Sequence, residues 1–356
     1  MPTRKLSTNL DVLRSLAVLV VFIYHILSIL RGSYEAINDA AAHFGVVLFF
    51  VHTSCVLMGS LESLNPDAPQ WAMRFYVRRA FRIYPLSMFI VIFAFVSRAP
   101  VAAWVGPAGL PATAKTIAAN LLLVQNIVHQ PVVSGPMWSL PLEVDMYLVL
   151  PLVFLMLRNR RWAPLMAGIW VCAIAGKAAF HADLGHSLGG LLFIPCFLSG
   201  ALAYRLRKTW TTFRFPAAIW TPGLLVLMVL ATAGGFSTYV IWTICLALAF
   251  LYASTDDLGI NVFTKVCAWI AKYSYGIYLT HAFAVWLAFR VLAGLLHGTG
   301  WKVLVTVLIT GVATVATFHW IEDPMIRIGK RLSDAIERTA LRGRGDPAVE
   351  LTVTRP

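Results

Sequence analysis

Charge is what this chain has least of. Asp, Glu, Lys and Arg make up 13% of its 356 residues, about half the share in a soluble domain, while 59% are hydrophobic. That balance excludes an ordinary soluble domain and points to a membrane protein. Acid is scarcer than base, which leaves a net charge of +13. Such an excess can serve nucleic acid, but Lys and Arg in loops between apolar spans follow from the bias of basic residues toward the cytoplasmic side. No nucleic-acid partner is therefore expected. Cysteines are few and lie mostly in apolar stretches, at 55, 172, 196, 245 and 267 with no paired spacing. This excludes a disulfide framework, and they read as small packing residues. His43 and His52 do not form a ligand pattern, so no zinc or other metal is expected. The chain lacks repeats at periods of roughly 20–50 residues, which excludes a solenoid. It also lacks a signal-peptide cleavage site. Arg4 and Lys5 precede an apolar run too long for a signal peptide, so that run reads as an uncleaved first span.

What the chain has is a succession of long apolar stretches. They predict an all-α, polytopic membrane helical bundle of about ten transmembrane helices. The expected spans lie near 10–30, 44–62, 83–98, 137–157, 163–180, 188–204, 216–233, 238–254, 268–296 and 302–320. A further apolar piece at 116–128 is too short to cross and reads as re-entrant or interfacial. With that choice every arginine cluster falls on one side: Arg74 to Arg82, Arg158 to Arg161, Arg205 to Arg214, and the tail after Arg327. Both termini are then cytoplasmic. Residues 1–324 form the membrane domain and 325–356 a basic cytoplasmic tail, with an amphipathic surface helix to about 342 and disorder from 343.

The first span, LDVLRSLAVLVVFIYHI at 10–26, carries Asp11 and Arg14 near its start and His25 near its end. Almost three helical turns separate Arg14 from His25, so the two share a face, about 16 Å apart along the axis. Arg14 fits either a headgroup anchor or a site residue. His25 lies inside the apolar run, where ionisable groups are costly and usually functional. Glu143, about six residues into the fourth span, is expected at the depth of His25 and as its partner. Such a pair would set the tautomer of His25 and suit it to act as a general base. Arg14, Arg78, Arg79 and Arg82 lie toward one face and make a grip for phosphates. Ser139, beside Trp138, reads as a helix N-terminal hydrogen-bonding residue or as a nucleophile. Tyr278 and His281 suggest a polar lining or an interhelical hydrogen bond. Asp11 is expected to pair with Arg14, Asp145 to face a water-filled rim, and Glu322 and Asp323 before Pro324 to cap the chain and pair with Arg327.

Several motifs in order resemble the acyltransferase-3 family. They are LDVLRSLAVLVVFIYH at 10–25, Phe49–Phe50, RRAFRIYP at 78–85, WSLPLE at 138–143, YSYGIYLTH at 273–281 and EDP at 322–324. The resemblance implies an integral membrane enzyme that O-acylates surface carbohydrates, lipids or related acceptors, in the bacterial inner membrane. His25 and Glu143 are then the candidate catalytic residues, and Arg14, Arg78, Arg79 and Arg82 the candidates for holding acyl-CoA. Trp138, Ser139, His52, Tyr278 and His281 are the candidate substrate-binding residues. The 16 Å from Arg14 to His25 is comparable with the pantetheine arm that joins the phosphates of coenzyme A to its thioester. One motif departs from the pattern. Where the family usually reads FFVLSGF this chain has FFVHTSC at 49–55, which makes that wall more polar and implies a different acceptor or acyl group. Pro141 stands near a helix start, where its missing N–H does little harm. A proton-coupled transporter using His25 and Glu143 as a relay is the alternative. It would be expected to show paired broken helices in two halves, and no second-half counterpart of the first span is found.

Overall fold

The computed structural model describes residues 7–31, 39–97, 113–159, 162–179, 192–210, 214–233 and 237–342. Helices occupy nearly all of them, and among the described residues there is no strand beyond a lone bridge between Phe215 and Thr255. The helices are α1 (Thr8–Arg31), α2 (Asp39–Ser63), α3 (Trp71–Ser97), α4 (Ala114–Leu121), α5 (Leu140–Arg158) and α6 (Trp162–Ala179). They continue with α7 (Ile194–Thr209), α8 (Trp220–Ala233), α9 (Thr238–Ser254), α10 (Val262–Trp286), α11 (Thr299–Thr317) and α12 (Asp323–Arg342). Each of the ten expected spans meets a helix. Six described helices are long and apolar enough to cross a bilayer, and Ala217–Ala233 and Thr238–Ser254 are shorter apolar helices.

Helix α2 is the axis of the bundle. Phe44, Leu48, Phe50, Leu57, Met58 and Leu61 are all buried, with α1 and α7 packed against the helix. Lipid is as apolar as leucine, so close packing and hydrogen bonds, not removal from water, hold such helices together. Gly200 of α7 shows this directly: a Cβ there would lie 2.1 Å from the Val51 carbonyl oxygen of α2. Helix α6 is the opposite case, with Met166 its one buried residue among the described ones. On α11 the buried threonines 306, 310 and 314 follow one face, and the first two hydroxyls donate to carbonyls four residues earlier at 2.8 Å.

The start of α1 is tied to the segment before α10. Thr8 donates to the Leu258 carbonyl at 2.6 Å, Asn9 to that of Asp256 at 2.9 Å, and Leu258 N–H returns a bond to Asn9. Helices α1 and α10 therefore run parallel, side by side.

The 116–128 segment is the short helix α4 followed by turns. At 1.5 Å per residue its eight residues cover about 12 Å, too little to cross. It is a fixed structure: Asn120 donates to the carbonyls of Thr116 and Pro131, accepts from Val133 N–H, and Gln125 donates to the Met137 carbonyl. The tail helix expected from 325 is α12, and it continues α11 through a π-helical turn at Phe318–Glu322. It is not loose on the surface. Arg74 meets Glu337 at 2.5 Å, Arg78 meets Asp334 at 2.8 Å and Ser333 at 2.9 Å, and Gly329 lies against Phe81 of α3. The disorder expected from 343 lies outside the described residues.

Candidate active site

Parallel packing of α1 and α10 brings Arg14 to Ser274, whose hydroxyl accepts from the arginine Nε at 2.5 Å. Arg14 therefore bonds across the interface; among the described residues it makes no direct hydrogen bond or salt bridge with Asp11, although its charge acts on that carboxylate. On α3, Arg79 and Arg82 are three residues apart and share the face turned toward Arg14. Arg74 and Arg78 share the other face, toward α12. The structure thus divides the basic cluster: Arg14, Arg79 and Arg82 line one cavity, and Arg78 does not. Arg78, expected in the phosphate grip, lies outside that cavity and is held by Ser333 and Asp334.

Two acids face this cavity or its edge. Glu143 lines it and accepts from the Tyr147 hydroxyl one turn along α5, at 2.9 Å. It sits within the fields of Arg14, Arg82 and Arg79. Glu322 is fully buried and pairs with Arg82 at 2.7 Å, whose guanidinium also lies 5.3 Å from the centre of the Tyr275 ring. Of the two acids expected to pair with Arg327, Asp323 does so, at 2.9 Å, and Glu322 does not. The absent side chain at Gly276 makes room for this carboxylate: a Cβ there would lie 3.2 Å from the second Glu322 oxygen. Arg79 differs from its neighbours. Its Nε is buried, and the residue makes no hydrogen bond or ion pair among the described residues. Glu143 is the acid whose charge reaches it, without a direct ion pair, and the Phe75 ring centre lies 5.9 Å from its guanidinium.

The expected pair of His25 with Glu143 is not formed. The residues before α5 make a turn at Gly135–Ser139 in which Pro136, Met137 and Ser139 are already buried. Helix α5 therefore begins inside the bundle, with Ser139 at the level of Tyr278, their hydroxyls 2.8 Å apart. One turn further along α5, Glu143 comes to the level of Arg14. His25 meets His281 of α10 instead, with His281 Nε2 3.1 Å from His25 Nδ1. This pair lies beyond Tyr278, whose ring centre is 6.2 Å from that of His281. Ser139 gives its helix no side-chain cap, so its hydroxyl serves the Tyr278 contact and not the expected helix start.

The remaining candidates divide. His52 lines the cavity, and its buried Nδ1 has no partner among the described residues. Trp138 does not line the cavity; its ring packs on His43 and Phe193, centres 5.5 and 5.8 Å away. Asp145 accepts from Asn126 at 2.9 Å, which ties α5 to the turns after α4. Sequence reasoning missed Tyr147, Ser274 and Tyr275. Tyr147 stands four residues after Glu143 and Ser274 four before Tyr278, so helical spacing carried the signal for both.

A sequence model of the acyltransferase domain matches residues 7–321, nearly the whole bundle and every residue lining the cavity, and stops just short of Glu322. The chain belongs to the acyltransferase-3 family. No curated protein and no solved structure matches it. In this membrane acyltransferase a cationic cavity and a buried imidazole pair thus occupy successive levels of one interface, with the Ser139–Tyr278 contact between them.

Proposed function

We propose that the enzyme takes an acetyl group from acetyl-CoA held at its cytoplasmic mouth. It passes the group to a hydroxyl of a carbohydrate, glycolipid or similar acceptor, in the bacterial inner membrane with both termini in the cytoplasm. The observation that carries this reading is Arg79, whose buried Nε has no hydrogen-bond partner among the described residues, in the same cavity as Arg14, which spends only its Nε on Ser274. Phosphates are the ligands that planar, forked donors of this kind suit best. Arg82 contributes less charge, because Glu322 already offsets it. Glu143 lies at this end too, so it orients the donor-binding arginines and is not the partner of the base.

The arm of the donor would run from the arginines past Tyr278 toward His25, about 16 Å along α1. There the acceptor oxygen attacks the thioester carbonyl carbon. The C–S bond breaks as the C–O bond forms, and coenzyme A leaves as its thiolate. His25 takes the acceptor proton and returns it to the thiolate, so protons balance without a covalent acyl-enzyme. The polar wall at His52 and Thr53 faces the donor end of the cavity and bears on how the donor is held. Purified protein in lipid vesicles, given radiolabelled acetyl-CoA and a panel of glycan and glycolipid acceptors, should transfer label and release free thiol. Binding of acetyl-CoA no tighter than that of a neutral thioester would remove the donor site.

A further inference from the structure

The two histidines contacting one another beyond Tyr278 carry more than proximity. His25 Nδ1 lies 2.9 Å from the Val21 carbonyl oxygen and 3.1 Å from His281 Nε2. A carbonyl oxygen can only accept, so His25 Nδ1 must carry a hydrogen. The same holds across the interface, where His281 Nδ1 lies 3.0 Å from the Ile277 carbonyl and carries its hydrogen there. A neutral His281 then has its lone pair on Nε2, aimed at the hydrogen on His25. The bonds close with both rings neutral, and the lone pair of His25 falls on Nε2. Reversing His281 would set its Nε2–H against the N–H of His25 and leave a lone pair facing the Ile277 carbonyl. These hydrogens are assigned by that accounting, from which one arrangement follows.

We propose that His281 is a positioning residue, a neutral hydrogen-bond acceptor that fixes His25 in the tautomer with its basic nitrogen at Nε2. The inference rests on the general-base role proposed above for His25. In soluble hydrolases a buried carboxylate does this for a catalytic histidine. Within a bilayer a lone carboxylate is costly, and an imidazole lone pair does the same orienting without a charge. His281 is itself held in place. It is fully buried, and the Phe22 ring meets it edge-on with centres 6.0 Å apart. When His25 takes a proton at Nε2, its Nδ1–H keeps both acceptors, so nothing need rearrange during the reaction.

The test compares His281→Phe with His281→Gln, whose amide oxygen can reach the place of Nε2 and accept the same bond. The readouts are kcat, the donor KM, and the tautomer of His25 by ¹⁵N NMR on histidine-labelled protein, with His25→Ala assigning the signal. Wild type should show His25 protonated at Nδ1. His281→Phe should lower kcat roughly ten- to hundredfold at a donor KM within about twofold, with a mixed tautomer. The loss falls short of the roughly ten-thousandfold that a wrong tautomer can cost, because the Val21 carbonyl still accepts. His281→Gln should keep kcat within a few-fold and the wild-type tautomer. Wild-type His25 protonated at Nε2 would overturn the proposal without any variant. So would equal losses in Phe and Gln with His25 still protonated at Nδ1. An active His25→Ala would remove the base itself, while the NMR result would still decide the hydrogen bond.

Discussion

Replacing Arg79 with glutamine separates donor binding from structural support. Arg79 makes no direct hydrogen bond or ion pair among the described residues, and Glu143, on which its charge acts, keeps Tyr147, Arg14 and Arg82, so the removal of Arg79 orphans no acid. Folding should therefore be unaffected, and the thermal midpoint of the detergent-solubilised protein should stay at the wild-type value. Donor binding should suffer. A charge-assisted hydrogen bond contributes about 1.5–3 kcal/mol, which is roughly ten- to hundredfold in the dissociation constant for acyl-CoA. Arg79→Lys should recover only part, since it restores the charge but not the planar fork. Arg78→Gln is the internal control: it loosens α12 from α3 but lies outside the cavity, so donor affinity should hold. Equilibrium binding of radiolabelled acetyl-CoA to protein in nanodiscs reads all three. Wild-type affinity in Arg79→Gln, or equal losses in Arg78→Gln and Arg79→Gln, would refute the reasoning.

Arg82→Gln should instead destabilise, by about 3–5 kcal/mol, because it leaves the buried Glu322 without its partner. The double variant Arg82→Gln with Glu322→Gln should regain most of that in a thermal aggregation assay, and no recovery would contradict the pairing. Gly200→Ala should impair folding, since its Cβ would fall 2.1 Å from the Val51 carbonyl oxygen; wild-type yield and melting would deny that close crossing. In a background with the native cysteines replaced, Tyr34→Cys and Asp183→Cys should react with an impermeant thiol reagent from outside, and Arg160→Cys and Thr209→Cys should not. The reverse pattern would turn the bundle over.

How much of this was legible depended on how local each signal was. Each apolar run met a helix, and the spacing of Arg14 and His25 placed both on one face of α1. Spacing could also have separated Arg79 and Arg82 from Arg78, since only the first two lie on the side of α3 turned to the cavity. The depth of Glu143 could not be read correctly, because it was counted from the edge of an apolar run. The buried turn at Gly135–Ser139 lowers the start of α5, and that turn is shaped by the polar contacts of Asn120 and Gln125 to distant backbone. The pairing of His25 with His281 spans 256 residues and follows only from the parallel packing of α1 and α10. Glu322 was read as a cap because a π-helical turn, which points it inward at Arg82, leaves no mark in the apolar pattern.

The central claim is that one enzyme carries acetyl from a cytoplasmic donor to an acceptor hydroxyl with His25 as base. It is tested most directly by acetyl transfer in sealed proteoliposomes of known orientation, with labelled acetyl-CoA on one side only. Label should reach the acceptor when the donor faces the cytoplasmic side, and His25→Ala, inserted and folded, should lose transfer while still binding donor. Transfer by His25→Ala within a few-fold of wild type, or transfer only with donor on the outer side, would contradict it.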